Sequence, residues 1–140
     1  MANDCRKNQP DRKITTPSSK VIVIDPFLKL NPRVPAKYKD LKALGKVDLI
    51  LVTHGHGDHI RDLGELATLT GATVVANFEL GNNLVTLGII DASKTIAMNK
   101  GGTIAPLGPG IKIHMVPAEH TSDVPSSMLK SDVTGATPSV

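Results

Sequence analysis

The sequence predicts an α/β protein built in layers, because short strand-like segments alternate along the chain with segments of helical periodicity. The clearest strand is the apolar run Val47–Val52, which precedes a glycine-rich loop. The clearest helix follows at Asp58–Leu69, where apolar residues recur at helical spacing and Gly71 provides a stop. The chain has no Trp, 1 Tyr and 2 Phe, so the core must be aliphatic. A chain of 140 residues is long enough for one domain with a single core.

Two strands are predicted before this apolar run. Residues 12–16 and 20–25 have strand composition and are separated by the turn Pro17-Ser18-Ser19. The next stretch contains three prolines and is predicted to be a loop, followed by a short helix over Tyr38–Leu44.

The elements after the long helix alternate in the same way. Thr73–Ala76 is predicted to be a strand and Phe78–Leu87 a helix. The segments Thr95–Met98 and Thr103–Ala105 flank two glycines and predict a hairpin. The last strand is predicted at Ile111–Val116 and leads to His120.

Three regions follow from this pattern: a disordered leader over residues 1–11, a domain over 12–124, and a flexible tail over 125–140 that is rich in Ser, Thr, Pro and Gly. Cys5 is the only cysteine, which excludes an intrachain disulfide. No secretion signal and no membrane-length apolar segment is recognisable, so we expect a cytoplasmic protein that does not enter membranes.

The net charge of +3 conceals a basic leading segment, since residues 1–46 hold 11 Lys or Arg against 4 Asp or Glu. Such a segment could attract anions, but a solvated basic face is the commoner explanation. Because aromatic residues are scarce, a base-stacking surface is not expected and nucleic acid is an unlikely partner.

Four potential metal ligands lie within six positions directly after the run Val47–Val52. They are His54, His56, Asp58 and His59, separated by two glycines that let the loop fold back. Imidazole and carboxylate groups are the ligand set of zinc and similar divalent metals. The alternative is a histidine-rich loop in solvent, but four ligand-type residues at this spacing favour a metal site.

A zinc ion held by three protein ligands keeps a position for water. His54 and His56 supply two ligands, and His120 is the best candidate for the third because it also follows a predicted strand. His114 lies inside that strand and is predicted to be a packing or surface residue. Asp58 and His59 would then hold a second metal nearby. A bound metal lowers the pKa of water to about 7, which makes the water a nucleophile at neutral pH.

The run His54-Gly55-His56-Gly57-Asp58-His59 resembles the motif of the metallo-β-lactamase fold. Residues 20–27, 47–53 and 115–120 resemble more narrowly the metal-dependent hydrolases related to ascorbate-phosphate lactonase. The resemblance extends from about residue 12 to residue 122. It implies an αββα sandwich with metals at one edge between two sheets.

The resemblance also assigns roles to individual residues. It places His54, His56 and His120 on a first metal and Asp58 and His59 on a second, with Asp58 as the candidate catalytic residue as well. It further suggests that Asp25 orients a ligand histidine, although Asp25 could equally be a turn residue before Pro26.

The sequence departs from the family at both ends. Family members are longer, begin with a strand that is missing from residues 1–11, and supply a bridging Asp and a final His after the position of His120. Asp123 and Asp132 lie in the wrong context for the bridging residue. We therefore expect a partial αββα metallo-β-lactamase sandwich, mainly its amino-terminal half, with a weak or absent second metal.

Two functions follow as expectations. The first is a hydrolase that uses a metal-activated water on an ester, lactone or phosphoester of small-molecule size, with one or two ions, most simply Zn, although Mn or Fe would fit. The second is a truncated, catalytically silent metal-binding fragment of such an enzyme. A homo-oligomer or a second polypeptide could complete the sandwich.

Overall fold

The computed structural model describes residues 12–128. The predicted leader over 1–11 and residues 129–140 of the predicted tail lie outside the described residues. The first residues of that tail region form a 3-10 turn at Ser126–Met128, and Met128 packs against the core. The division of the chain into leader, domain and tail stays a prediction.

The central sheet has five strands in sequential order. They are β1 (Arg12–Thr15), β2 (Val21–Ile24), β3 (Leu49–Leu51), β4 (Thr73–Asn77) and β5 (Thr95–Met98). The strand β1 is antiparallel to β2, and β2 to β5 are mutually parallel. Parallel neighbours require crossover connections, which here run through helices and 3-10 turns. The predicted α/β class is confirmed.

Both faces of this sheet are buried. Along β2, β3 and β4, alternate residues enter two different apolar clusters, as with Leu49 on one face and Ile50 on the other. Neither of these two side chains is accessible to solvent. A parallel sheet buried on both faces has almost continuous apolar strands, which is why the short strands of this chain are detectable in the sequence.

Three helices lie in the described chain: α1 (Gly57–Ile60), α2 (Leu63–Thr70) and α3 (Phe78–Thr86). The prediction of one helix over Asp58–Leu69 is wrong, because the helix breaks at Asp62. The buried Asp62 carboxylate accepts hydrogen bonds from the backbone N–H groups of Leu28, at 2.6 Å, and Lys29, at 2.9 Å. The break places Asp62 against a loop that is distant in sequence. Helical periodicity does not reveal such a contact.

The predicted short helix at Tyr38–Leu44 is instead a pair of 3-10 turns, Ala36–Tyr38 and Leu41–Leu44. Asp40 separates them, because its side chain accepts a hydrogen bond from the N–H of Lys42 and starts the second turn. A further 3-10 turn lies at Ala92–Lys94.

The predicted hairpin of Thr95–Met98 with Thr103–Ala105 is also wrong. The first segment is β5 and pairs in parallel with β4, whereas β6 (Thr103–Ile104) pairs antiparallel with β7 (Ile113–His114) in a second sheet. The two glycines therefore mark a crossing between sheets. The second sheet supplies Ile104 and Ile113 to the apolar cluster on the face opposite the helices. The result is a helix–sheet–sheet arrangement, which is the predicted partial sandwich.

No helix within residues 12–128 combines the length and the hydropathy needed to cross a bilayer. The predicted cytoplasmic location stays a prediction.

Candidate metal centre

The carboxyl ends of the parallel strands meet at one edge of the central sheet. Asp25 directly follows β2, and the loop Val52–His56 follows β3, so these segments lie side by side. His120 reaches the same place from the second sheet, because it follows β7. Ligands of open α/β sheets bind at this edge, outside the carboxyl ends of the strands.

Three histidines form a compact cluster at this edge. One ring nitrogen from each of His54, His56 and His120 can be chosen so that all lie within 4.8 Å of one another. The ring centroid of His54 is 4.7 Å from that of His56 and 4.6 Å from that of His120. His54 and His56 are half-buried, and His120 is exposed.

A hydrogen-bond chain from Asp25 determines which ring nitrogen of His54 carries the hydrogen. The Thr53 hydroxyl donates to Oδ2 of Asp25 at 2.8 Å, and the Thr53 N–H donates to Oδ1 at 2.8 Å. Since the hydroxyl has one hydrogen, its contact with Nδ1 of His54 at 2.9 Å requires the histidine to be the donor. Nε2 of His54 is therefore the unprotonated nitrogen, with its lone pair free for a metal.

His56 has the opposite arrangement. Its Nε2 lies 3.3 Å from Oγ1 of Thr121 and 3.2 Å from Oδ1 of Asp123, so the N–H of this ring faces oxygen acceptors. Nδ1 is left with its lone pair and lies 3.1 Å from Nε2 of His54. Outer-shell oxygen partners of this kind fix the tautomer of metal-binding histidines.

Two lone pairs thus face each other at 3.1 Å between His54 and His56. Two neutral acceptors repel at that distance, so a proton or a metal cation must lie between them. Burial, followed by the neighbouring His59, His56 and His120, lowers the pKa of His54. The neutral form that binds metals is thereby favoured over the imidazolium. The donor set therefore fits a divalent metal.

His59 lies beside this cluster, with its ring 4.0 Å from that of His54. Its Nδ1 is 3.0 Å from Oδ2 of Asp25 but is not aligned for a hydrogen bond, and it is a buried nitrogen without a hydrogen-bond partner in the described chain. Asp58 is 64% exposed, and its Oδ2 lies 3.8 Å from Nε2 of His59. These two residues adjoin the cluster as a separate pair.

Asp25 is buried and has a φ of 51°, a left-handed conformation that is unusual for a residue other than glycine. Asp and Asn adopt this region more readily than most side chains. The carboxylate is thereby directed toward both Thr53 and His59.

The segment after His120 packs closely on the histidine loop. The N–H of Gly55 donates to Oγ of Ser122 at 2.9 Å, and a Cβ on Gly55 would lie 2.6 Å from the carbonyl oxygen of Asp123. A side chain at position 55 would push this segment away, so the glycine allows the approach of the two loops.

All five predicted ligands therefore occupy one region, but the geometry groups His54, His56 and His120 together and leaves Asp58 and His59 beside them. His114, which was predicted to be a packing or surface residue, is exposed, with Nδ1 2.7 Å from Oγ1 of Thr103. Sequence reasoning gave no role to Thr53 or to residues 121–123. The only signal was their position directly beside His54 and His120.

The fold and the histidine cluster define a layered α/β protein with a candidate metal site. The chain belongs to the β-lactamase superfamily domain family, whose sequence profile matches residues 20–137. The predicted family membership is confirmed.

Similar proteins are named as metal-dependent hydrolases. The chain is 48% identical over 128 residues to a UPF0173 metal-dependent hydrolase of Cupriavidus necator, covering 91% of this chain and 43% of the relative. It is 46% identical to a UPF0173 metal-dependent hydrolase of Pyrococcus abyssi, covering 74% of this chain and 43% of that relative. The chain thus spans less than half the length of these curated relatives.

A solved structure has the same fold. Igni18, described as a novel metallo hydrolase from the hyperthermophilic archaeon Ignicoccus hospitalis, matches with a TM-score of 0.69 and 30% identity. The match covers 81% of this chain and 47% of Igni18. The described chain accordingly corresponds to part of a metallo-β-lactamase sandwich, as predicted.

Proposed function

We propose that this chain is a metal-dependent hydrolase whose His54, His56 and His120 hold one divalent ion next to a substrate cavity. The observation that supports this proposal is the convergence of three ring nitrogens, one from each histidine, within 4.8 Å of one another. Three protein ligands with a further open position are typical of catalytic zinc sites.

The ion would lower the pKa of a water molecule, which makes that water nucleophilic near neutral pH. The residues of the chain do the positioning. Thr53 and Asp25 hold His54 in the tautomer with a free Nε2, and Thr121 and Asp123 do the same for Nδ1 of His56.

The substrate would be a small molecule with an ester, lactone or phosphoester bond. A cavity of about 720 Å³ adjoins the cluster and is lined by both His54 and His120. This volume suits a small molecule. Asp58 is exposed near His59 and is the proposed catalytic carboxylate.

Zinc is the proposed ion, because three imidazoles are a ligand set found in catalytic zinc sites. The same three ligands would also bind Mn or Fe, but with less preference for these ions than for zinc. One ion per chain is proposed rather than two, since Asp58 and His59 lie outside the three-histidine cluster and are loosely arranged.

The second candidate is a silent metal-binding protein, and the observation that favours it is length. The chain covers 43% of its Cupriavidus necator relative, so residues that complete the site in that protein need not have counterparts here. A second copy of the chain or another polypeptide could supply them.

The test measures bound metal and turnover together on the purified chain and on two matched histidine variants. His54→Ala removes a member of the cluster, whereas His114→Ala removes an exposed histidine outside it. We expect about one zinc per chain in the wild type and in His114→Ala, and little zinc in His54→Ala. The rate of ester or lactone hydrolysis should fall in proportion to the bound zinc. Equal metal content in all three proteins would refute the site, and one metal without turnover would favour the silent protein.

A further inference from the structure

The carboxyl edge of the central sheet has two chemically different halves. The ends of β2 and β3 carry Asp25, Thr53 and the histidine cluster. The ends of β4 and β5 carry Asn77 and the pair Asn99-Lys100. Both halves line the same cavity, because His54, Asn77, Asn99 and Lys100 all contribute to its wall.

The backbone around Lys100 is held in place by hydrogen bonds. The turn after β5 is closed by the N–H of Gly102 donating to the carbonyl of Asn99, at 2.9 Å. The N–H of Gly101 donates to the carbonyl of Met115 at 2.7 Å, and the N–H of Met115 donates to Gly102 at 3.1 Å. The turn is therefore tied to the segment that leads to His120.

Lys100 has no ion-pair or hydrogen-bond partner for its side chain among residues 12–128. Two acidic residues, Glu79 and Asp123, also line the cavity, but neither is paired with Lys100. Asp123 instead lies 3.2 Å from Nε2 of His56. Lys100 is thus a cationic residue of the cavity wall without an ion-pair partner among residues 12–128.

The neighbouring amides suit the same type of ligand. Oδ1 of Asn77 already accepts a hydrogen bond from the N–H of Leu80, which leaves its NH₂ group as a donor. Asn83 and Asn99 add two further amide side chains to the wall. This half of the cavity therefore offers one cation and several neutral donors.

We propose that Lys100 binds an oxyanion group, a phosphate or carboxylate, on the part of the substrate away from the scissile bond. This inference rests on the proposed hydrolase function and adds the substrate class to it. A Lys ammonium binds such a group as a point charge, and the amides complete its hydrogen bonds.

Binding to the metal-free 140-residue chain tests the anion site independently of turnover. Inorganic phosphate and benzoate would be titrated separately and followed by amide chemical shifts in NMR spectra. Lys100→Gln should weaken binding of at least one probe about three- to tenfold, as expected for a partly exposed charge interaction. If only the binding of inorganic phosphate is weakened, the group that Lys100 binds is a phosphate. If the binding of benzoate is weakened, the group is a carboxylate.

Lys94→Gln is the matched control, because Lys94 lies at the opposite, amino end of β5 and does not line the cavity. It should leave both affinities unchanged, while Lys100→Arg should retain most of the binding. Equal affinities for both probes in wild type and Lys100→Gln, or an equal loss in Lys94→Gln, would overturn the proposal.

A kinetic comparison on the zinc-loaded chain separates the two proposals. Lys100→Gln should raise KM for mono-4-nitrophenyl succinate severalfold more than KM for the neutral 4-nitrophenyl acetate. Failure to hydrolyse either ester would count against the proposed hydrolase function, while the probe titrations would still decide the anion site. An equal rise in KM for both esters would count against a role of Lys100 in charge recognition.

Discussion

The hydroxyl of Thr53 donates to Oδ2 of Asp25 at 2.8 Å and lies 2.9 Å from Nδ1 of His54. One hydroxyl thus joins a buried carboxylate to a candidate metal ligand. The arrangement depends on the parallel pairing of β2 with β3, which places the residues after the two strands side by side. The tautomer of His54 therefore depends on the packing of the two strands and not on the histidine loop alone.

Thr53→Val should weaken zinc binding about tenfold or more, because it removes the acceptor that holds the N–H of His54. The measurement is competition for zinc against a chromophoric chelator. Thr53→Ser keeps the hydroxyl and should bind zinc almost as tightly as the wild type. If the valine variant retained wild-type affinity while remaining folded, the hydrogen-bond chain would have no part in setting the tautomer.

Gly55→Ala should lower both stability and zinc affinity. The new Cβ would lie 2.6 Å from the carbonyl oxygen of Asp123, so the segment that follows His120 must move away. Gly110→Ala is the matched control, since a Cβ there meets no atom within 4 Å. Urea unfolding and zinc titration of both variants check the prediction. Equal effects at the two positions would show that the contact at Gly55 is unimportant.

Sequence patterns predicted the strands of the central sheet and the candidate ligands at its edge, because both depend on local features. Buried parallel strands are continuous apolar runs, and His54, His56, Asp58 and His59 adjoin one another in the chain. His120 was predictable because it follows a strand-like segment.

The errors have a common physical origin, which is contact between distant segments. The break between α1 and α2 depends on Asp62 binding backbone groups of Leu28 and Lys29. The transfer of Thr103–Ile104 to a second sheet depends on pairing with Ile113–His114. Local periodicity carries no information about either partner, and the contacts of Thr121 and Asp123 with His56 were missed for the same reason.

Asp48 should stabilise the fold in a pH-dependent way. A hydrogen bond from Lys46, followed by one from the backbone N–H of Val21, lowers the pKa of Asp48 below its ordinary value of 3.8. Because the folded pKa is the lower one, the stabilisation is present above pH 3.8 and is lost as the pH falls through the folded pKa. The carboxylate is almost buried at the amino end of β3 and lies 2.7 Å from the Lys46 ammonium.

Asp48→Asn should therefore cost about 1 kcal/mol of unfolding free energy at pH 7, since it keeps an acceptor for Val21 and loses the charge. The difference between wild type and variant should shrink below pH 4. Urea unfolding at a series of pH values provides the measurement. A difference that stayed constant from pH 7 to pH 3 would contradict a role of the Asp48 charge.

The number of metal ions distinguishes the three-histidine cluster from the neighbouring pair Asp58 and His59. Asp58 is 64% exposed and lies 3.8 Å from Nε2 of His59, so this pair is loosely arranged as a site for a second ion. His120→Ala should therefore abolish tight zinc binding, whereas Asp58→Asn should leave about one zinc per chain with affinity changed less than about threefold. Atomic absorption on dialysed proteins, combined with chelator competition, makes the measurement. Two tightly bound ions in the wild type, with one of them lost in Asp58→Asn, would show that Asp58 is a ligand of a binuclear centre. The contrast is informative because a proposed catalytic carboxylate that does not bind the ion should alter turnover while leaving metal content unchanged.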